Sequence, residues 1–152
     1  GLMIVDDEPF LIEYNVRMGD PECQTILPRL KTDFLDIVVA TVNEDLKNIN
    51  LEWFGEKSIC VVLASKGYPD EFKNNSEIKG LKEIKLQDNE YIFHAGTKVN
   101  NSKIYSNGGR VLNFVIKSDD LKIGRDQAIS LINKLNWQNG YFRKDIGYKI
   151  IS

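Results

Sequence analysis

The sequence is poor in the residues that most often carry chemistry alone. Its 152 residues include two cysteines, one histidine and four prolines, and the longest unbroken apolar run, Ile59–Ala64, is six residues. A membrane-spanning helix needs about 20 apolar residues, so none is expected. Cys23 and Cys60 have neither a C-x-x-C partner nor a histidine cluster, which argues against zinc or a disulfide framework. Free thiols in a reducing compartment fit better, and the expected location is cytoplasmic. Twenty Lys and Arg stand against 22 Asp and Glu, for a net charge of -2 without any basic run. That leaves no electrostatic footprint for nucleic acid or an anionic membrane. The first residues, Gly1–Val5, lack the basic start and long apolar stretch of a signal peptide and enter a strand at once.

What is present suffices for one ordinary domain or two small ones. Apolar residues make up 42% of the chain, and a chain of this length buries roughly 68–70% of its unfolded surface without a disulfide or structural metal. The opening reads as a hairpin: a strand over Leu2–Val5, a polar turn Asp6-Asp7-Glu8-Pro9, and an alternating strand from Phe10 to Arg17. Period two places Phe10, Ile12, Tyr14 and Val16 on a core face and Glu13, Asn15 and Arg17 on the other. Gly19-Asp20-Pro21 breaks the strand. A helix is expected from about Thr32, capped by Thr32 or Asp33, with apolar positions Phe34, Leu35, Ile37, Val38, Val42 and Leu46.

Beyond residue 50 the pattern turns strand-like, and a domain boundary is expected near residues 50–56. Ser58–Ser65 reads as a fully buried strand, followed by strands around Glu77–Gly80, Glu90–Val99, Lys103–Tyr105 and Val111–Ser118. Residues 120–135 suit an amphipathic helix weakened by Gly124. Asn107-Gly108-Gly109-Arg110 reads first as a hairpin turn with positive φ. A glycine-rich turn also lets backbone N–H groups approach an anion.

The sharpest chemical feature is Glu13-x-Asn15-x-Arg17. A carboxylate and an amide carbonyl two residues apart, at roughly 7 Å Cα spacing, can reach one hard cation. Mg²⁺ takes one or two protein oxygens and fills its shell with water and phosphates, so the pair implies a nucleotide. Arg17 adds a fork for a carboxylate or phosphoryl group. Solvated polar residues on a half-exposed strand are the competing explanation. His94 beside Phe93 reads as a structural histidine, and Trp53 and Trp137 as core or contact aromatics. Cys23 lacks a neighbouring base.

Glu13-x-Asn15-x-Arg17-x-Gly19-Asp20-Pro21-Glu22-x-Gln24 resembles the signature of the phosphoribosylamine–glycine ligases, or glycinamide ribonucleotide synthetases. Ile26-Leu27-Pro28-Arg29-Leu30, Val61–Ser65 with Gly67-Tyr68-Pro69, Phe93–Lys98, Asn107–Leu112 and Tyr141–Gly147 resemble the same family in its order. The resemblance covers essentially the whole chain. It implies an α+β fold: the end of an ATP-grasp domain over 1–52, an antiparallel hairpin plus helices, then a small β-rich C-terminal domain with a packed helix over 53–152.

The implied function is ligation of glycine to 5-phosphoribosylamine in purine biosynthesis, with ATP as substrate and glycyl phosphate as intermediate. By position, Glu13 and Asn15 match the family's Mg²⁺ (or Mn²⁺) ligands, and Arg17 a residue near the acyl phosphate. Asp20 and Glu22 match a turn where a carboxylate positions an amine. Lys98, Gly108, Gly109 and Arg110 are expected at the phosphate of phosphoribosylamine, with Arg143 and Lys144 as weaker candidates. The resemblance also implies that this is the last third of such an enzyme, monomeric when complete. The missing N-terminal part would carry the ATP-phosphate lysines, and this chain alone is expected not to turn over. The strand Leu2–Val5 offers no second acidic metal ligand. The alternatives are a noncatalytic phosphosugar- or Mg²⁺-binding module, and an ATP-grasp ligase with another acceptor.

Overall fold

The computed structural model describes residues 1–151. Strand β1 (Leu2–Val5) pairs antiparallel with β2 (Glu8–Leu11) through a two-residue connection, Asp6-Asp7, with φ of 51° and 63°. Two consecutive left-handed residues match the right-handed twist of a tight hairpin. The second strand is shorter than its sequence pattern suggests. Its ladder runs from Val5↔Glu8 to Leu2↔Leu11, and beyond it two further bonds, Ile12 N–H to the Gly1 carbonyl (2.9 Å) and the Gly1 nitrogen to the Glu13 carbonyl (2.8 Å), continue without strand geometry. Residues 12–15 are therefore irregular, and the expected core face stays open: Phe10, Ile12, Tyr14 and Val16 are all exposed, Val16 by 99%.

Short helix α1 (Glu22–Ile26) follows the Gly-Asp-Pro break, with a 3-10 turn over Leu27–Arg29. Neither was anticipated, because five residues carry too little periodicity. Helix α2 (Phe34–Val42) begins where expected, with Asp33 Oδ1 accepting from Leu35 N at 2.8 Å. Thr32 is not the cap; its hydroxyl accepts from Glu52 N at 2.7 Å. Residues 29–32 are bound to the 52–54 segment through Lys31 N to Glu52 O (2.9 Å) and Phe54 N to Arg29 O (2.8 Å).

The main sheet has the order β4-β7-β3-β8, all antiparallel, built from β3 (Lys57–Ser65), β4 (Glu90–His94), β7 (Arg110–Ser118) and β8 (Gly140–Tyr141). A separate ribbon pairs β5 (Thr97–Asn100) with β6 (Lys103–Ser106). Residues 77–80 form only isolated bridges, Glu77↔Tyr105 and Lys79↔Asn136. The expected strand over 90–99 breaks at Ala95-Gly96, because Gly96 lies against Gly108, where a Cβ would come within 2.9 Å of the Gly108 Cα.

In the β3–β7 ladder Ile59, Val61 and Leu63 oppose Ile116, Phe114 and Leu112. This face is buried under helix α3 (Leu121–Ile132), which adds Ala128, Leu131 and Ile132. Asp120 caps α3 through Ile123 N (2.9 Å). Gly124 strengthens this contact: a Cβ there would sit 3.1 Å from Ile59 Cγ2 and 3.3 Å from Ser118 Cβ. The other sheet face carries Ser58, Cys60 and Val62 opposite Lys117, Val115 and Asn113, and α1 lies across it.

The 107–109 connection is not a hairpin turn. It joins β6 to β7, which belong to different sheets, and none of its residues has positive φ. Its glycines serve close packing instead, since a Cβ on Gly109 would lie 2.1 Å from the Tyr68 ring. Phe114, fully buried at the centre of the core, supplies a stability test: Phe114→Ala should lower unfolding free energy by about 3–5 kcal/mol, read from urea denaturation.

Candidate functional site

The side chains of Glu13, Asn15 and Arg17 meet without a strand to align them. Asn15 Nδ2 donates to Glu13 Oε1 at 3.2 Å, and Arg17 Nη1 donates to Asn15 Oδ1 at 3.0 Å and to the Met18 carbonyl at 3.0 Å. All three are exposed. The Asn15 amide turns its NH2 to Glu13 and its oxygen to Arg17, so the carboxylate and the amide are neighbours. One carboxylate and one amide is a fitting donor set for a hard cation. Among the described residues no group of three or more His, Cys, Asp or Glu side chains is placed to hold a metal. Remaining ligands would have to be phosphate and water oxygens, which suits Mg²⁺.

The next four residues are anchored. Glu22 Oε2 accepts from Gly19 N (2.8 Å) while Gly19 O accepts from Cys23 N (2.8 Å), half of a capping box that closes the start of α1 on itself. Asp20 Oδ1 accepts from Gln24 Nε2 (2.7 Å). Arg110, at the start of β7, grips the same residue: Nη1 donates to Asp20 O (2.6 Å) and Nη2 lies 3.3 Å from Asp20 Oδ2. The two candidate groups of the sequence, the acidic turn and the basic loop, thus meet at Asp20–Arg110.

A cleft of about 580 Å³ opens between this turn and β4, lined among others by Arg17, Asp20, Gln24, Tyr91, Phe93 and His94. The Tyr91 and Phe93 rings are parallel, with centroids 6.0 Å apart. His94 Nδ1 lies 2.8 Å from Thr97 Oγ1 at the exposed edge. A second cleft, about 360 Å³, lies on the other side of Pro21, between Arg110, Tyr68 and Tyr141. Arg143 reaches it but is held bidentately by Asp145 at 2.9 and 3.2 Å, and each pulls the other toward its charged form.

Gly108 and Gly109 turn their carbonyls to Ser65, which donates from Oγ (2.8 Å) and N (2.7 Å) respectively. Among the described residues their own N–H groups donate to no other group. Lys98 stands exposed on the β5–β6 ribbon, opposite Tyr105, outside both clefts. Sequence reasoning missed Gln24's grip on Asp20 and the aromatic wall of β4. The i+4 spacing of Gln24 from Asp20 and the alternation of Tyr91 and Phe93 were the available signals.

Cys60, on the sheet face under α1, is a free thiol whose pKa is pushed up to about 12, chiefly by burial and further by the charge of Asp20, against a partly offsetting hydrogen bond with Thr25. An unfolded thiol titrates near 9, so this residue favours the folded state up to that pH and the contribution is lost as pH rises from about 9 to 12. Iodoacetamide at pH 9 should therefore label Cys60 about two to three orders of magnitude more slowly than in urea, followed by mass spectrometry. A double-mutant cycle on Asp20→Asn and Arg110→Met should give a coupling of only about 0.2–1 kcal/mol, because both side chains are partly solvated.

The family model described as "Phosphoribosylglycinamide synthetase, C domain" matches residues 58–149. The phosphoribosylamine–glycine ligase of Caldanaerobacter subterraneus subsp. tengcongensis is 47% identical over 146 residues, covering 96% of this chain and 34% of that protein. That of Fusobacterium nucleatum is 44% identical over 97% of this chain and 35% of its own length. The crystal structure of the phosphoribosylamine–glycine ligase from Thermotoga maritima superposes with a TM-score of 0.68 at 33% identity, covering 95% of this chain and 35% of that one. The chain spans about a third of the length of the relatives it matches. With the α+β fold and more than half the sequence accounted for, the chain belongs to the phosphoribosylglycinamide synthetase C-domain family.

Proposed function

We propose that this chain is the C-terminal part of an ATP-dependent phosphoribosylamine–glycine ligase. Residues 1–52 are assigned to the end of an ATP-grasp domain and 53–152 to the β-rich C-terminal domain, in a cytoplasmic enzyme that is monomeric when complete. The observation that carries the reading is the meeting of Glu13, Asn15 and Arg17 beside the Asp20–Arg110 junction, in a chain whose relatives bear that name over nearly its whole length.

In this reading Glu13 and Asn15 hold Mg²⁺ or Mn²⁺, which when bound neutralises ATP phosphate charge. Arg17, joined to Asn15 and exposed beyond it, orients the glycine carboxylate as it takes the γ-phosphoryl group to become glycyl phosphate. The amine of 5-phosphoribosylamine then attacks the acyl carbon and phosphate leaves. Positioning of an uncharged amine suffices for that step, so no histidine base is needed. Asp20 and Glu22 act by shaping the turn that faces the amine. The free N–H groups of Gly108 and Gly109, with Lys98 and the unbonded donors of Arg110, are offered to the sugar phosphate.

The test is ADP formation by the full-length enzyme with ATP, glycine and freshly made phosphoribosylamine. Activity should need all three substrates and fall by at least about a hundredfold in Glu13→Gln and Asn15→Ala. The 152-residue chain alone should be inactive. Arg110→Ala should raise KM for phosphoribosylamine while leaving that for ATP nearly unchanged. Full activity in the Glu13 and Asn15 variants would refute their assignment.

A further inference from the structure

We propose a second oxyanion site, for a phosphate group, on the α1-covered face of the sheet at the end remote from Arg110. A cleft of about 370 Å³ there is lined by Thr25, Ile26, Arg29, Trp53 and Ser58. Two polar atoms of these residues, Arg29 Nε and Ser58 Oγ, are buried without a hydrogen-bond partner. Both can donate. A buried donor is destabilising until an acceptor reaches it, and native structures leave few such groups empty.

Arg29 is the charged residue that lines the cleft, and a second cation stands across the ladder from Ser58. Lys117 is the direct cross-strand partner of Ser58, so its side chain lies on the same face. It is only 8% exposed, and Nζ sits 4.1 Å from the centroid of Phe54, the residue after Trp53. Among the described residues neither Lys117 nor Arg29 forms an ion pair. Glu52, the neighbour of Trp53, is taken by Lys31 at 2.7 Å. Two unpartnered donors in the cleft, an arginine Nε and a hydroxyl, with Lys117 across the ladder from that hydroxyl, suit an oxyanion, and phosphate supplies both the charge and the several acceptor directions. The half-exposed Trp53 and Phe54 rings offer faces to a base or sugar attached to it.

Lys117 and Arg110 are seven residues apart on one strand, about 23 Å. The site is therefore separate from the Asp20–Arg110 junction and does not depend on the roles given to Glu13 and Asn15.

The full-length protein carrying 5-fluorotryptophan at position 53 provides a local probe, titrated by fluorine NMR with inorganic phosphate and with AMP at constant ionic strength. A saturable shift of the Trp53 resonance at roughly millimolar or tighter affinity is expected. Arg29→Gln and Lys117→Met should each weaken it about tenfold or more, Arg29→Lys less, and Glu13→Gln should leave it unchanged. AMP binding more tightly than phosphate identifies a nucleotide monoester, and equal affinities identify the phosphate group alone; either supports the site. Absence of a saturable shift, or the same affinity in Arg29→Gln with its circular dichroism intact, overturns it. Arg29 lies outside the core, so that variant decides the matter even where Lys117→Met fails to fold.

Discussion

The register of β3 against β7 is the constraint on which the rest of the structure depends. With Val61 opposite Phe114, every odd-numbered residue from Ile59 to Leu63 faces α3, and Ser58, Cys60 and Val62 face α1. A slip of one residue would exchange the faces, sending Asn113 and Lys117 into the core and Phe114 and Ile116 under the signature helix. The burial of Ile59, Val61, Leu63, Leu112, Phe114 and Ile116 on a single face makes that exchange prohibitive. The polar character of the second face is thus secured by the apolar character of the first.

On that second face the ladder carries functional groups at both ends. Arg110, opposite Ala64, reaches up to Asp20 and fixes the turn that follows Arg17. Lys117, opposite Ser58, lies over the Phe54 ring at the other end. Helix α1 spans the interval, with Thr25 Oγ1 donating to the Pro21 carbonyl (3.0 Å) and Gln24 to Asp20. A change in the seating of α1 therefore acts on both ends, because Asp20 and Arg29 bracket the same short rigid segment.

How much of this was legible in the sequence varied with the source of each constraint. Strand β3, helix α2 with its Asp33 cap, and helix α3 follow from local periodicity and, for α2, capping chemistry, and all appear close to their expected positions; the Asp120 cap of α3 was not anticipated. The second hairpin strand ends at Leu11 rather than Arg17, since alternation specifies a face but not how far a ladder runs. Asn107-Gly108-Gly109 carries the composition of a hairpin turn, yet its glycines are explained by Gly96 and Tyr68, residues distant in sequence. For the candidate site, the grouping of Glu13, Asn15 and Arg17 was legible from spacing. The Asp20–Arg110 contact, between residues 90 positions apart, was not.

The hairpin and α2 differ from the sheet domain in how their geometry is held. Nineteen of the 26 exposed large apolar side chains fall in residues 1–54, so this third of the chain draws little stability from its own packing. An isolated two-stranded hairpin is marginal in water, and the hydrogen bonds among Glu13, Asn15 and Arg17 are all solvent-exposed. Such bonds bring the donors together but do not hold them against thermal motion, whereas Gly19–Gln24 is fixed by the sheet through Arg110. Under the proposed function, the precision that a metal-bridged phosphoryl transfer needs must come from a surface that covers Phe10, Ile12, Tyr14 and Val16. Catalytic competence then depends on that contact as well as on Glu13, Asn15 and Arg17.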